Sequence, residues 1–257
     1  MPFYFDSHCH FDFSEFDHDR AALWQQCQDA GIDRLLIPGT EPTQWQRTAK
    51  LLDQYDHWLG SAGIHPWWLN QVDAISDDLL KTWYSALDHP RCVAIGECGL
   101  DKAINTDFAK QCEFFEAHLR LACERNMPLI IHVRKSHNET LRFLQQYKPP
   151  AGGVIHGFSG SIELATNYWQ LGFYLGIGGT ITYPRANKTR QSVKGLPLEA
   201  LLIETDAPDM PLMGHQGQRN TPLHVVDVAK TLAELRNEPL EHIAQVTTQN
   251  AKTLFQI

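Results

Sequence analysis

Five histidines and two carboxylates stand where short apolar runs of the sequence end. His8 and His10 close Phe3-Tyr4-Phe5-Asp6-Ser7-His8-Cys9-His10, and His65 follows the run Leu59 to Ile64. Glu97 closes Cys92-Val93-Ala94-Ile95-Gly96-Glu97, His132 closes Leu129-Ile130-Ile131-His132, His156 closes Val154-Ile155-His156, and Asp206 follows Leu201 to Thr205. Side chains alternate along a strand, so His8 and His10 point to one side while Ser7 and Cys9 point to the other. Two imidazoles on one face are half a metal site. Taken singly, each of these residues reads as a hydrogen-bonded core histidine or acid. Taken together, five imidazoles and two carboxylates at the same end of several strands need a cation to satisfy them.

Imidazole with carboxylate suits zinc, manganese, iron or nickel better than calcium, and one carboxylate can bridge two ions. Two divalent ions are therefore expected, drawn from zinc, manganese, magnesium, iron and nickel. Glu97, midway along the series, is the expected bridge. One ion is expected on His8, His10, Glu97 and Asp206, and the second on Glu97, His132 and His156. Ions about 3.5 to 4 Å apart stabilise both the attacking and the leaving oxygen of a phosphoryl transfer. Asp206 can also accept the proton of the attacking water.

Residues so far apart in the chain converge only if the elements between them are regular. Short apolar runs alternate with longer amphipathic stretches and no linker interrupts them, which is the pattern of βαβ units. The expected strands are Phe3 to His8, Arg34 to Pro38, Leu59 to Ile64, Cys92 to Glu97, Leu129 to Val133, Gly153 to His156, Phe173 to Ile177 and Ala200 to Glu204. A helix is expected over Asp107 to Glu124, with Phe108, Cys112, Phe115, Leu119, Ala122 and Cys123 on one stripe. Ser76 can cap a helix through Leu87, and Thr221 with Pro222 makes a cap followed by a first-turn proline. The last segment, Leu240 to Phe255, reads as two short helices.

Eight strand-helix units in 257 residues match a (β/α)8 TIM barrel over residues 1–257 as a single domain, with its active site at the C-terminal strand ends. The rival is a doubly wound open sheet. It needs a crevice where strand order reverses, and no glycine-rich phosphate fingerprint follows the first strand.

The composition, 43% hydrophobic and 20% charged, is that of a globular protein able to bury a large core. No apolar run reaches membrane-spanning length, and the N-terminus enters a strand directly with no basic or apolar leader, so a cytoplasmic protein with no membrane partner is expected. The six cysteines form no CxxC pair and are expected as reduced, mostly core thiols. A formal net charge of −8 means that the whole molecule does not attract polyanions, so any nucleic-acid contact must be local.

Phosphate needs cations or backbone donors. Arg134, Arg185, Lys188, Arg190 and Arg219 lie where loops of one rim are expected, and an arginine fork holds phosphate bidentately. His65 is a further candidate for substrate contact. Phe11, Trp67, Trp68, Phe158 and Tyr183 either stack on bases or pack as a lid over the barrel. Glu204 and Asp6 each precede a candidate ligand by two residues and are read as acids that orient imidazoles. Cys98 is tempting beside Glu97, but alternation turns it away, and it is read as structural.

The stretches Phe5-Asp6-Ser7-His8-Cys9-His10, Gly63-Ile64-His65-Pro66, Ile95-Gly96-Glu97-Cys98-Gly99-Leu100-Asp101, Pro128 through Arg134, His156-Gly157-Phe158-Ser159-Gly160 and Leu202 through Pro208 together resemble the TatD family of metal-dependent hydrolases, within the amidohydrolase-like barrel superfamily. Gly178 through Ala186 further resembles the YjjV-like branch. The resemblance covers essentially the whole chain. It implies divalent-metal hydrolase chemistry, the same ligand set, a DNase-like action on phosphodiesters that is often 3′ to 5′, and phosphate contact by Arg134. Lys102 stands where the family often has an aromatic residue, and Ser136 to Asn138 replace a small residue followed by an acid, so substrate choice stays open. The expected partner is DNA or a small phosphodiester, met by a monomer or weak oligomer. The alternatives are hydrolysis of a C–N or ester bond, including a D-aminoacyl-tRNA ester, and a non-catalytic module with structural ions.

Overall fold

The computed structural model describes residues 2–257. Eight strands alternate with helices: β1 (Tyr4–Asp6), β2 (Ile32–Ile37), β3 (Trp58–Ala62), β4 (Cys92–Asp101), β5 (Leu129–Arg134), β6 (Gly153–Ile155), β7 (Phe173–Ile177) and β8 (Leu201–Ile203). They form one parallel eight-stranded sheet in chain order, and the fold is the expected (β/α)8 barrel. The helices are α1 (Arg20–Asp29), α2 (Pro42–Gln54), α3 (Asp77–Leu87), α4 (Phe108–Arg125), α5 (His137–Tyr147), α6 (Ile162–Gln170), α7 (Asn187–Gly195), α8 (Val225–Arg236) and α9 (Leu240–Phe255).

Contacts group the chain into two compact units. One runs through Ile37 and takes up His156–Gln170 and Tyr174–Ile257; the other is Pro38–Ile155 with Leu171–Phe173.

In the first unit β1 is tied to β2 by parallel pairing and to β8 by Ser7, whose N–H (3.0 Å) and hydroxyl (2.9 Å) both donate to Ile203 O. β1 ends at Asp6, two residues earlier than expected, because the main chain beyond it leaves regular pairing: Cys9 N–H donates to Leu36 O and His10 N–H to Ala207 O. α9 is one continuous helix, not two. No glycine or proline interrupts Leu240–Phe255, and Ile243, Ala244, Thr247, Ala251, Leu254 and Phe255 bury one face along its length. Thr221 precedes a single 3-10 turn, Pro222–His224, and makes no side-chain cap; α8 begins only at Val225.

In the second unit Ser76 caps α3 as expected, its hydroxyl accepting from Leu79 N–H at 3.2 Å. α4 buries Gln111, Phe114, Phe115, His118, Leu119, Leu121 and Ala122, whereas Phe108, Cys112 and Cys123 of the expected stripe are only half-buried. The apolar stripe is thus rotated, and it brings a histidine into the core. β4 runs on to Asp101, past the expected end at Glu97, and its pairing with β5 shifts register between Ile95 and Cys98. Only glycine fits that irregularity at Gly99 (φ +140°), where a Cβ would stand 2.0 Å from His132 O. Cys98 is fully buried, its thiol donating to Ile130 O at 3.6 Å, and burial pushes the thiol pKa up.

Candidate metal centre

His8, His10 and Asp206 meet in the first unit. His8 Nε2 is 3.5 Å and His10 Nε2 3.4 Å from the same oxygen, Asp206 Oδ1. Ligand bonds of about 2.1 Å at tetrahedral angles set donor atoms roughly 3.4 Å apart, so these three atoms have the spacing of one cation's shell. Asp206 itself is held in the left-handed region (φ +56°) with its N–H donating to His8 O at 2.9 Å. A non-glycine residue pays about 1–3 kcal/mol for that conformation, strain of the kind found where a side chain must be aimed. Burial raises the Asp206 pKa, but the His10 hydrogen bond and the charges of His8 and His156 outweigh it and hold the carboxyl below its ordinary value.

His156 stacks on His8, ring centroids 4.0 Å apart and planes within 8°. Glu204 sits behind it: Oε1 accepts from Gly157 N–H at 2.6 Å and lies 3.8 Å from His156 Nδ1. Gly176 makes room, since a Cβ there would stand 2.2 Å from Glu204 Oε2. Burial raises the Glu204 pKa to about 8. Asp6, also raised by burial, to about 7, accepts from the Thr205 hydroxyl (2.6 Å) and N–H (3.0 Å) and from His8 N–H (3.3 Å). The two acids therefore hold main-chain N–H groups beside the ligand set, Asp6 that of His8 and Glu204 that of Gly157, where the sequence reading had them orient imidazoles.

His65, Glu97 and His132 meet in the second unit. Glu97 Oε1 is 3.3 Å from His65 Nε2 and 3.5 Å from His132 Nδ1. All three side chains offer donor atoms close enough for one ion, but hydrogen bonding separates the two imidazoles. His65 Nδ1 accepts from Trp67 N–H at 3.1 Å, so the ring's proton is on Nε2, facing Glu97, and His65 is a donor there and not a ligand. His132 is the reverse. Its Nε2 is 3.2 Å from Asp101 Oδ2; burial raises the Asp101 pKa, but hydrogen bonds from His132, Ala103 N–H and Trp67 hold it at about 2. An ionised carboxylate accepts only, so Nε2 carries the proton and the Nδ1 lone pair faces Glu97. Two acceptors 3.5 Å apart suit a divalent cation held by both. The donor sets fit the metal that the sequence implies.

The model for TatD related DNase matches residues 5–256. The chain belongs to the TatD family. Within that family it is 41% identical over 257 residues to the uncharacterized metal-dependent hydrolase YjjV of Escherichia coli, with 99% of this chain and 98% of YjjV covered. The crystal structure of Escherichia coli YjjV superposes with a TM-score of 0.94, covering 99% of this chain and 98% of that one. The 3′-5′ ssDNA/RNA exonuclease TatD of Escherichia coli is 34% identical over 263 residues, covering 98% of this chain and 99% of that protein. This TatD-family chain is a metal-dependent hydrolase.

The cationic candidates separate as clearly. Arg134 is exposed at the end of β5, two residues beyond His132 and on the same strand face. Arg185 lies over the Tyr183 ring, 4.9 Å from its centroid, and Lys188 is exposed, while Arg190 donates to Ile181 O. Arg219 is spoken for: its guanidinium grips both Asp19 oxygens, at 3.0 and 2.5 Å, donates to Glu15 O and stacks on Phe16. Lys102 is paired with Glu139 at 2.6 Å. Of the five aromatic candidates, Phe11 and Phe158 are buried, Trp68 and Tyr183 are half-buried, and Trp67 is 54% exposed.

Two positioning residues escaped the sequence. Asp101 lies two residues beyond Gly99, and the period of two was a readable signal that it shares a face with the site. His118 accepts from Ile64 N–H through Nε2 at 2.9 Å while Nδ1 donates to Phe114 O at 2.6 Å, which fixes the backbone one residue before His65. Nothing in the sequence pairs His118 with a residue 54 positions away.

Proposed function

We propose that this TatD-family hydrolase cleaves phosphodiester bonds in single-stranded nucleic acid. The observation that carries the reading is the pair of imidazole–carboxylate donor sets, His8–His10–Asp206 and Glu97–His132, whose donor atoms stand 3.4 to 3.5 Å apart. His8, His10 and Asp206 would hold one divalent ion, with the His156 imidazole stacked beside His8, and Glu97 with His132 would hold another. A bound divalent ion supplies Lewis acidity toward a phosphoryl oxygen and acidifies water. The protein does the rest. Asp101 fixes the tautomer of His132, and Glu204 and Asp6 hold the main-chain N–H groups of Gly157 and His8. Asp206, with Oδ1 engaged by His8 and His10, offers its second oxygen as acceptor for the proton lost by the nucleophile. His65 presents its Nε2 proton beside Glu97, and Arg134 and Arg185 offer guanidinium forks to phosphate. The family name and the exonuclease TatD support a nucleic-acid substrate.

The net charge of −8 favours a second reading, hydrolysis of a C–N or carboxylic-ester bond, because it repels a polyanion. The test is a substrate panel on protein loaded with manganese, zinc or magnesium: single-stranded oligonucleotides, a small phosphodiester, acyl esters and amides. The proposal expects oligonucleotide cleavage that chelator abolishes. Turnover confined to acyl or amide substrates would replace it with the second reading.

A further inference from the structure

We infer that Trp67 is a stacking platform for a nucleobase next to the scissile phosphate; the inference rests on the phosphodiesterase reading above and names the part of the substrate that this residue meets. Trp67 is 54% exposed, yet it is pinned at both ends. Its main-chain N–H donates to His65 Nδ1 at 3.1 Å, and its indole N–H donates to Asp101 Oδ2 at 3.1 Å. The same Asp101 oxygen takes His132 Nε2 at 3.2 Å, and the Trp67 and His65 rings meet edge to face at 5.6 Å.

An exposed tryptophan normally costs apolar surface in water and is free to change rotamer. Here the hydrogen bond to a fully buried carboxylate turns the indole's polar atom inward while 54% of the residue stays exposed. The ring is thus rigid, apolar, open on one side, and fixed through one oxygen to a metal-ligand candidate. That is what base stacking requires: every base has a π-face, and a ring held still gives up little entropy on contact. Of the other aromatic candidates, Phe11 and Phe158 are buried, Trp68 and Tyr183 are half-buried, and the Tyr183 ring is covered by Arg185 at 4.9 Å. On a molecule with a charge of −8, a contact of this kind binds the neutral part of a polyanion.

The test is binding of a phosphorothioate hexathymidylate, and of an abasic strand of the same length, to manganese-loaded protein, read by calorimetry and by quenching of tryptophan emission. The native protein is expected to prefer the base-bearing strand by about tenfold or more and to lose emission on binding it. Trp67→Ala is expected to bind the two strands alike and to lose the quenching. Trp67→Phe keeps a ring without the N–H and is expected to retain most of the preference. Equal binding of both strands by the native protein, or an unchanged preference in Trp67→Ala, overturns the inference. Cleavage of plain hexathymidylate by the native protein is scored separately. Cleavage with an unchanged Trp67→Ala preference leaves the phosphodiesterase reading standing and removes the platform, whereas a lost preference without any cleavage keeps the platform and removes that reading.

Discussion

Asp101 Oδ2 is shared between two donors, the imidazole of His132 and the indole of Trp67, and that sharing decides which nitrogen of His132 faces Glu97. Asp101→Asn removes the charge that holds the proton on Nε2, so the affinity for zinc is expected to fall by about 10- to 100-fold with the fold intact, measured by calorimetry beside a far-ultraviolet spectrum. Unchanged affinity would show that the tautomer is set elsewhere. His118 acts on stability. Burial lowers its pKa to about 4, from an ordinary 6.5, so the folded protein keeps it neutral. The unfolded chain takes up the proton first as the pH falls. Stability from this residue is therefore complete above about pH 6.5 and is lost between there and about pH 4, by roughly 3 kcal/mol. Denaturant unfolding from pH 7 to 4 checks it: His118→Gln, which keeps a donor and an acceptor, is expected to flatten that part of the slope, and His118→Leu to cost about 1–3 kcal/mol at pH 7 by stranding Ile64 N–H. A wild-type slope retained in the glutamine variant would assign it to other groups. The ligand candidates were readable because each interrupts an apolar run, and Asp101 carried the signal of the strand period, whereas His118 lies on a helix and its partner Ile64 on another element.

The strands carry the site by close approach at glycines. Gly63 and Gly96 touch so tightly that a Cβ on Gly63 would stand 2.3 Å from Gly96 Cα. Ser61 ties the same strands, its hydroxyl donating to Gly96 O at 2.6 Å and accepting from Gly39 N–H at 3.2 Å. Gly63→Ala is expected to destabilise the protein by about 1–3 kcal/mol and to lower turnover along with it, because the displaced peptide leads directly into Glu97. Equal stability and turnover would mean that β3 and β4 yield without moving the carboxylate. The positions of the eight strands were readable from apolar runs alone. Their limits were less so: β4 continues past Glu97 on the strength of a register shift at glycines, and the α4 stripe is rotated because Gln111 and His118 find buried partners that hydropathy does not count. α9 was divided in the sequence reading although its buried residues keep one helical face throughout.

For the molecule as a whole, charge and site pull in opposite directions. A net charge of −8 repels nucleic acid at long range, while Arg134 and Arg185 are exposed cations open to local phosphate contact. Salt therefore screens a repulsion as well as an attraction, and the salt dependence of oligonucleotide binding is expected to be shallow, with a slope equivalent to one or two phosphates. Arg134→Ala should reduce that slope by about 0.7 and weaken all sequences alike; an unchanged slope would exclude Arg134 from phosphate contact. The fold class and the family were open to sequence reading because six separate stretches had to agree. What a single sequence does not contain is the proton inventory of the imidazoles, which makes His65 a donor beside Glu97 and turns the His132 Nδ1 lone pair toward it. Two donor sets call for two ions per chain. Elemental analysis of the purified, manganese- or zinc-loaded protein is expected to find two ions per chain, falling to one in a His8→Ala/His10→Ala double variant and unchanged in His65→Gln. No bound ion in the native protein, or full occupancy after loss of His8 and His10, would contradict it.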